Sequence, residues 1–226
     1  MSIAFDAFSS VAAGTGNLSW THTPVGTPRG ITVEVVQNTG TDEVSGVTYG
    51  GTAMTEVTGS PNLKAAVEAG AVYCYFLGAS IPTGPQTVLV TVTGASSKRA
   101  GAVSVTAAAD TEVQDTDVTI NSNSVANPSA TLALGGNSCF CMEGFFSGSN
   151  DPADITELAG WTNRLEHDFT SQTAGWYTYN TIGTADVTMG WTQTAQDAVC
   201  IGIAIREAGA PPPPAVGGTM TLMGVG

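Results

Sequence analysis

Thr32-Val33-Glu34-Val35 and Val88-Leu89-Val90-Thr91-Val92 set β-branched residues in alternation with polar or differently shaped ones. A period of two puts one set of side chains on one face, so both stretches predict strands buried on one side. Working outward, similar segments occupy residues 18–23, 31–36, 44–49, 71–77, 87–93, 102–107, 118–120, 129–134, 138–146, 161–167, 175–179, 185–191 and 198–206. Gly, Pro, Asn and Asp punctuate them, as turns require. Only residues 61–68 and 152–158 suggest helix, the second with Asp151 as its N-cap. The fold class read from this pattern is all-β, an antiparallel, jelly-roll-like β-sandwich forming one body over residues 1–208.

Composition narrows the function classes. Charged residues make up 11% of the chain, against about 25% in an average soluble domain. Six Lys and Arg stand against 19 Asp and Glu, a net charge of −13. That balance excludes a phosphate-binding surface for nucleic acid and argues against an anionic membrane. No run approaches the ~18–20 apolar residues of a membrane span. The start, Met1-Ser2-Ile3-Ala4-Phe5-Asp6, lacks the basic region of a secretory signal, so synthesis in a cytoplasm is expected. Cys74, Cys139, Cys141 and Cys200 sit in strand-like segments and read as small buried hydrophobes rather than zinc ligands.

Chemistry-bearing motifs are scarce. The chain contains no G-x-S-x-G, H-E-x-x-H, P-loop or G-x-G-x-x-G. Glu166-His167-Asp168 alternates across a strand, so its carboxylates face away from the imidazole. His22, on the same strand face as Trp20, reads as a packed, hydrogen-bonded histidine. Asp110, Glu112, Asp115 and Asp117 form one acidic stretch, and Asp151, Asp154 and Glu157 another. Neither has EF-hand spacing, and solvated surface is expected rather than calcium. The expectation is therefore no catalytic residue, no metal and no cofactor. The indoles of Trp161, Trp176 and Trp191 could stack on sugar if exposed, although alternation would bury some of them.

Composition breaks near residue 208. Pro211, Pro212, Pro213 and Pro214 make a stiff, extended spacer within residues 209–215. Residues 216–226 follow without a charged side chain, and Met220, Leu222, Met223 and Val225 make them an apolar anchor suited to a groove or a sheet edge on a partner.

Three segments, Leu18-Ser19-Trp20-Thr21-His22-Thr23, Arg29-Gly30-Ile31-Thr32-Val33-Glu34-Val35 and Val47-Thr48-Tyr49-Gly50-Gly51-Thr52-Ala53-Met54-Thr55, follow one another in an order that resembles a jelly-roll-like family. Its members are tailed-phage virion proteins and some bacterial surface proteins. Val72-Tyr73-Cys74-Tyr75-Phe76-Leu77, Pro85-Gln86-Thr87-Val88-Leu89-Val90-Thr91-Val92, Asp186-Val187-Thr188-Met189-Gly190-Trp191-Thr192 and Cys200-Ile201-Gly202-Ile203-Ala204-Ile205 resemble its later strands. Gly218-Thr219-Met220-Thr221-Leu222-Met223-Gly224-Val225-Gly226 is similar to endings of phage minor structural proteins. The resemblance spans residues 17–206 and carries no catalytic residue. It implies a non-enzymatic virion protein, a capsid decoration or cement protein or another minor head or tail component. Its expected partners are other virion subunits, including its own copies, with neither nucleic acid nor membrane. The alternative is a glycan- or receptor-binding module, a phage tail adhesin or a bacterial surface protein.

Overall fold

A computed structural model describes residues 3–65, 68–149, 151–169, 172–180 and 185–209, with side chains left out at 120–125 and 180. The first half runs β1 Ala4–Gly14, β2 Leu18–His22, β3 Gly30–Gln37, β4 Val44–Tyr49, β5 Thr52–Ala53, β6 Thr55–Glu56, β7 Asn62–Lys64, β8 Gly70–Leu77, β9 Gln86–Val92 and β10 Lys98–Thr106. The second runs β11 Thr111–Val125, β12 Ser129–Leu132, β13 Phe140–Ser147, β14 Thr156–Glu157, β15 Thr162–Asp168, β16 Thr173–Asn180, β17 Val187–Thr192 and β18 Gln196–Glu207. All the pairings are antiparallel, and the fold is an all-β sandwich architecture.

The wiring occurs twice. In the first half one sheet has the order β1-β10-β3-β8, extended by β6 and β7, and the other β2-β9-β4-β5. This is the jelly-roll order, in which the chain wraps back and forth between two sheets. The second half repeats it as β11-β18-β13-β16 with β15 at the edge, over β12-β17-β14. Among the described residues that sheet has no counterpart of β5. Turn chemistry supports the wrap: Gly50 and Gly51 link Tyr49 to Thr52 with φ of 55° and 81°, the two positive values a tight type I′ hairpin demands.

Each half has its own core. Ile31, Val33, Val35, Tyr49, Tyr73, Val88 and Val90 fill the first, and Leu132, Cys141, Phe145, Tyr177, Met189 and Trp191 fill the second. A third core joins them. Val36, Val72, Phe76, Val103 and Val105 of the first half meet Phe140, Met142, Phe146, Trp176, Ile201 and Ile203 of the second. The two inner sheets therefore lie face to face, and the body has four layers. Sequence alternation predicted strands buried on one side. Instead every residue of β3 and of β13 is buried, Thr32 and Glu34 included, because the opposite half covers the second face.

Polar contacts close the rim of this seam. Asn62 Nδ2 donates to the carbonyls of Thr119 (3.0 Å) and Cys200 (2.8 Å). Lys64 pairs with Asp197 at 2.6 Å, with both side chains almost wholly buried. Arg99 donates to the Asp168 carbonyl at 2.9 Å, and the Arg164 guanidinium sits 3.7 Å above the Phe5 ring. These contacts explain a correction: residues 61–68 suggested helix, but Asn62–Lys64 is strand β7 against β8, since Asn62 and Lys64 are held by the second half. Residues 152–158 likewise give only a 3-10 turn, Pro152–Asp154, followed by β14. Asp151 caps that turn as expected, accepting from Ala153 N–H at 2.9 Å.

Candidate docking groove on the seam

The aromatic candidates lie inside. Trp176 and Trp191 are fully buried and Trp161 is 6% exposed. Trp191 stacks on Phe145 with ring centroids 4.2 Å apart and donates to Gln193 Oε1, while Trp161 donates to the Thr188 carbonyl. No face of the Trp176 or Trp191 indole is open to a sugar, so the stacking platform expected as one option is absent at these two positions. Trp161 offers too little surface to serve as one.

His22 lies at the centre of a buried polar chain. Trp20 Nε1–H donates to Ser9 Oγ (2.9 Å), and Ser9 Oγ lies 2.8 Å from His22 Nδ1. His22 Nε2 is 3.0 Å from Ser104 Oγ, which donates to Asp6 Oδ2 at 2.7 Å. Burial pushes the imidazole pKa down to about 4, against a smaller upward pull from Asp6. A neutral ring has one proton, and the Ser104 hydroxyl is committed to Asp6. The proton therefore sits on Nε2, and Ser9 donates to Nδ1. Every hydrogen bond runs one way, from indole to carboxylate. The network binds β1, β2 and β10 to one another, with the ring fully enclosed.

The acidic stretches are also engaged. Asp115 and Asp117 accept from the backbone N–H groups of Ala133 (2.6 Å) and Thr131 (2.9 Å), clipping β11 to β12 across the sandwich. Asp110 pairs with Arg29 and Glu112 with Arg206. Asp154 accepts from Ser149. These carboxylates serve the fold's own N–H groups, a hydroxyl and cations. Glu166 accepts from the Tyr177 hydroxyl, and His167 faces solvent. All four cysteines are buried and free.

A surface groove lies along the seam. It opens where β6, at the edge of one inner sheet, faces β11, at the edge of the other. Thr55, Glu56, Val57 and Thr58 form one wall, Val113 and Thr116 the other, and Phe76 the floor, around about 220 Å³. A second recess of about 380 Å³ continues past Phe76 to Gly78, Ala79, Thr111 and Glu112. Among the described residues the exposed large hydrophobics are Val25, Val113 and Val118, and the last two lie on β11. The last described residues lie beside it: Glu207 pairs with Thr111, and Ala208 N–H donates to the Asp110 carbonyl. Nothing in the sequence foretold the groove, because its two walls are more than fifty residues apart. The expected anchor Met220, Leu222, Met223 and Val225 and the spacer Pro211–Pro214 lie outside the described residues. No protein-family model matches the chain, and no curated protein does.

Proposed function

We propose that this chain is a non-enzymatic structural protein of a tailed-phage virion. It acts as a capsid decoration or cement protein, or another minor head or tail component, and docks to neighbouring subunits through residues 216–226. The observation that carries this reading is an apolar groove on the seam beside Glu207, a few residues in sequence before the Pro-rich segment and the uncharged residues 216–226. The rest of the molecule supports it: two jelly rolls locked back to back make a rigid body, and the polar clusters described above are spent on holding it together. Burial of Met220, Leu222, Met223 and Val225 on a partner supplies roughly 1.5–3 kcal/mol per large side chain.

The test is native mass by light scattering, on the full chain and on a chain ending at Ala208, with circular dichroism to establish that both are folded. The full chain is expected to assemble and the shortened one to be monomeric. A shortened chain that assembles as well as the full one would overturn the docking role of the tail.

A further inference from the structure

We infer that the seam groove is the receptor for the apolar segment 216–225 of a second copy of this chain, so that copies join head to tail. The inference rests on the reading that this segment docks, and adds where it docks and on what.

Three observations select the groove and its occupant. The first is apolarity: Phe76 and Val57 line it, and Val113 stays 37% exposed on its wall although the chain had a large core in which to bury it. The second is charge. Glu56 and Glu112 stand on the rim of a protein of net charge −13, so a segment with no charged side chain enters without repulsion. The third is reach. The second recess begins at Thr111, directly across the ladder from Glu207, so the last described residues lie beside the groove. Residues 210–215 are four prolines flanked by alanines, and extended they span roughly 18 Å. A polyproline sequence of that length resists turning back on itself, which favours the groove of a neighbour over the chain's own.

A contact of this kind joins two different surfaces, so copies either exchange anchors reciprocally in a closed dimer or propagate into rings and open chains. Two full-length variants each disable one side. Val113→Glu places a charge in the groove, and Leu222→Asp places one in the anchor. If Val113→Glu does not fold, Thr55→Glu on the opposite exposed wall serves instead. The wild-type chain is expected to show the mass of a dimer or a larger assembly. Each variant alone is expected to be a folded monomer, with association weakened at least tenfold. An equimolar mixture is expected to give a 1:1 dimer and nothing larger, because only one working anchor and one working groove remain.

If both groove variants assemble like wild type while Leu222→Asp does not, the groove is overturned and docking by the tail survives. If Leu222→Asp assembles like wild type, both readings fall. A monomeric wild-type chain would overturn the joining of copies.

Discussion

Gly70, at the start of β8, lies beneath the ring of Phe146 on β13: a Cβ added at position 70 would stand 2.4 Å from Phe146 Cδ1. The two residues belong to different halves, and each inner sheet supplies holes for the other's side chains. Gly101 faces Trp176, at 3.2 Å from a would-be Cβ, and Gly144 faces Glu34.

Gly70→Ala is accordingly expected to cost about 1–3 kcal/mol by overpacking the seam. In a chain of this size that lowers the melting temperature by several degrees, at about 2–4 °C per kcal/mol. Thermal unfolding followed by circular dichroism reads it, and one transition is expected because the halves share a core. An unchanged melting temperature would mean that Phe146 moves aside freely.

Glu143 is fully buried inside the second half, and burial pushes its carboxyl up to about 8. A carboxyl with a raised folded pKa binds its proton more tightly in the native state. Stability is therefore lost as pH climbs from about 4.5, the ordinary value, towards 8. Glu143→Gln is expected to reduce this slope and to gain on the order of a few kcal/mol relative to wild type at pH 8 over pH 5. Glu34 contributes a slope of the same sign, because burial and the nearby Glu143 raise its carboxyl as well. Urea denaturation at several pH values measures the effect. Parallel wild-type and variant profiles would contradict it.

His22 has the opposite sign. Its folded pKa of about 4 lies below the ordinary 6.5, so its contribution is fully present above 6.5 and is lost as pH falls through 4. In the native protein its ring resonances are expected to stay those of the Nε2–H form down to about pH 5. Titration near 6.5 by NMR would show that the Ser9–His22–Ser104–Asp6 chain is not formed.

The buried indoles give a test of the glycan-binding alternative. Host-surface polysaccharide is expected to leave tryptophan emission unshifted, and acrylamide is expected to quench it weakly, mainly through the part-buried Trp20. A polysaccharide-induced shift would reopen that alternative.

Strand positions were legible because β-branched alternation is local: the predicted 44–49 coincides with Val44–Tyr49, and 18–23 differs from Leu18–His22 by one residue. Strand β1, Ala4–Gly14, escaped notice because alanine and serine dominate it and it owes its place to pairing with β10. The four-layer stack was not legible for a sharper reason. Thr32 and Glu34 look like solvent-facing members of an alternating strand, yet both are fully enclosed by the second half. Polarity in sequence reports a side chain's chemistry, whereas burial depends on a face supplied a hundred residues later. The same holds for the groove, to which Thr55 and Val113 contribute from separate halves.

The seam also constrains how this chain can change over generations. A residue such as Gly70 or Gly144 faces a side chain encoded elsewhere in the gene, so a larger replacement there is best accommodated by a matching change in the other half. Although the wiring is repeated, the shared seam couples the two halves, and recombination between their coding segments is expected to cost stability wherever it separates facing pairs.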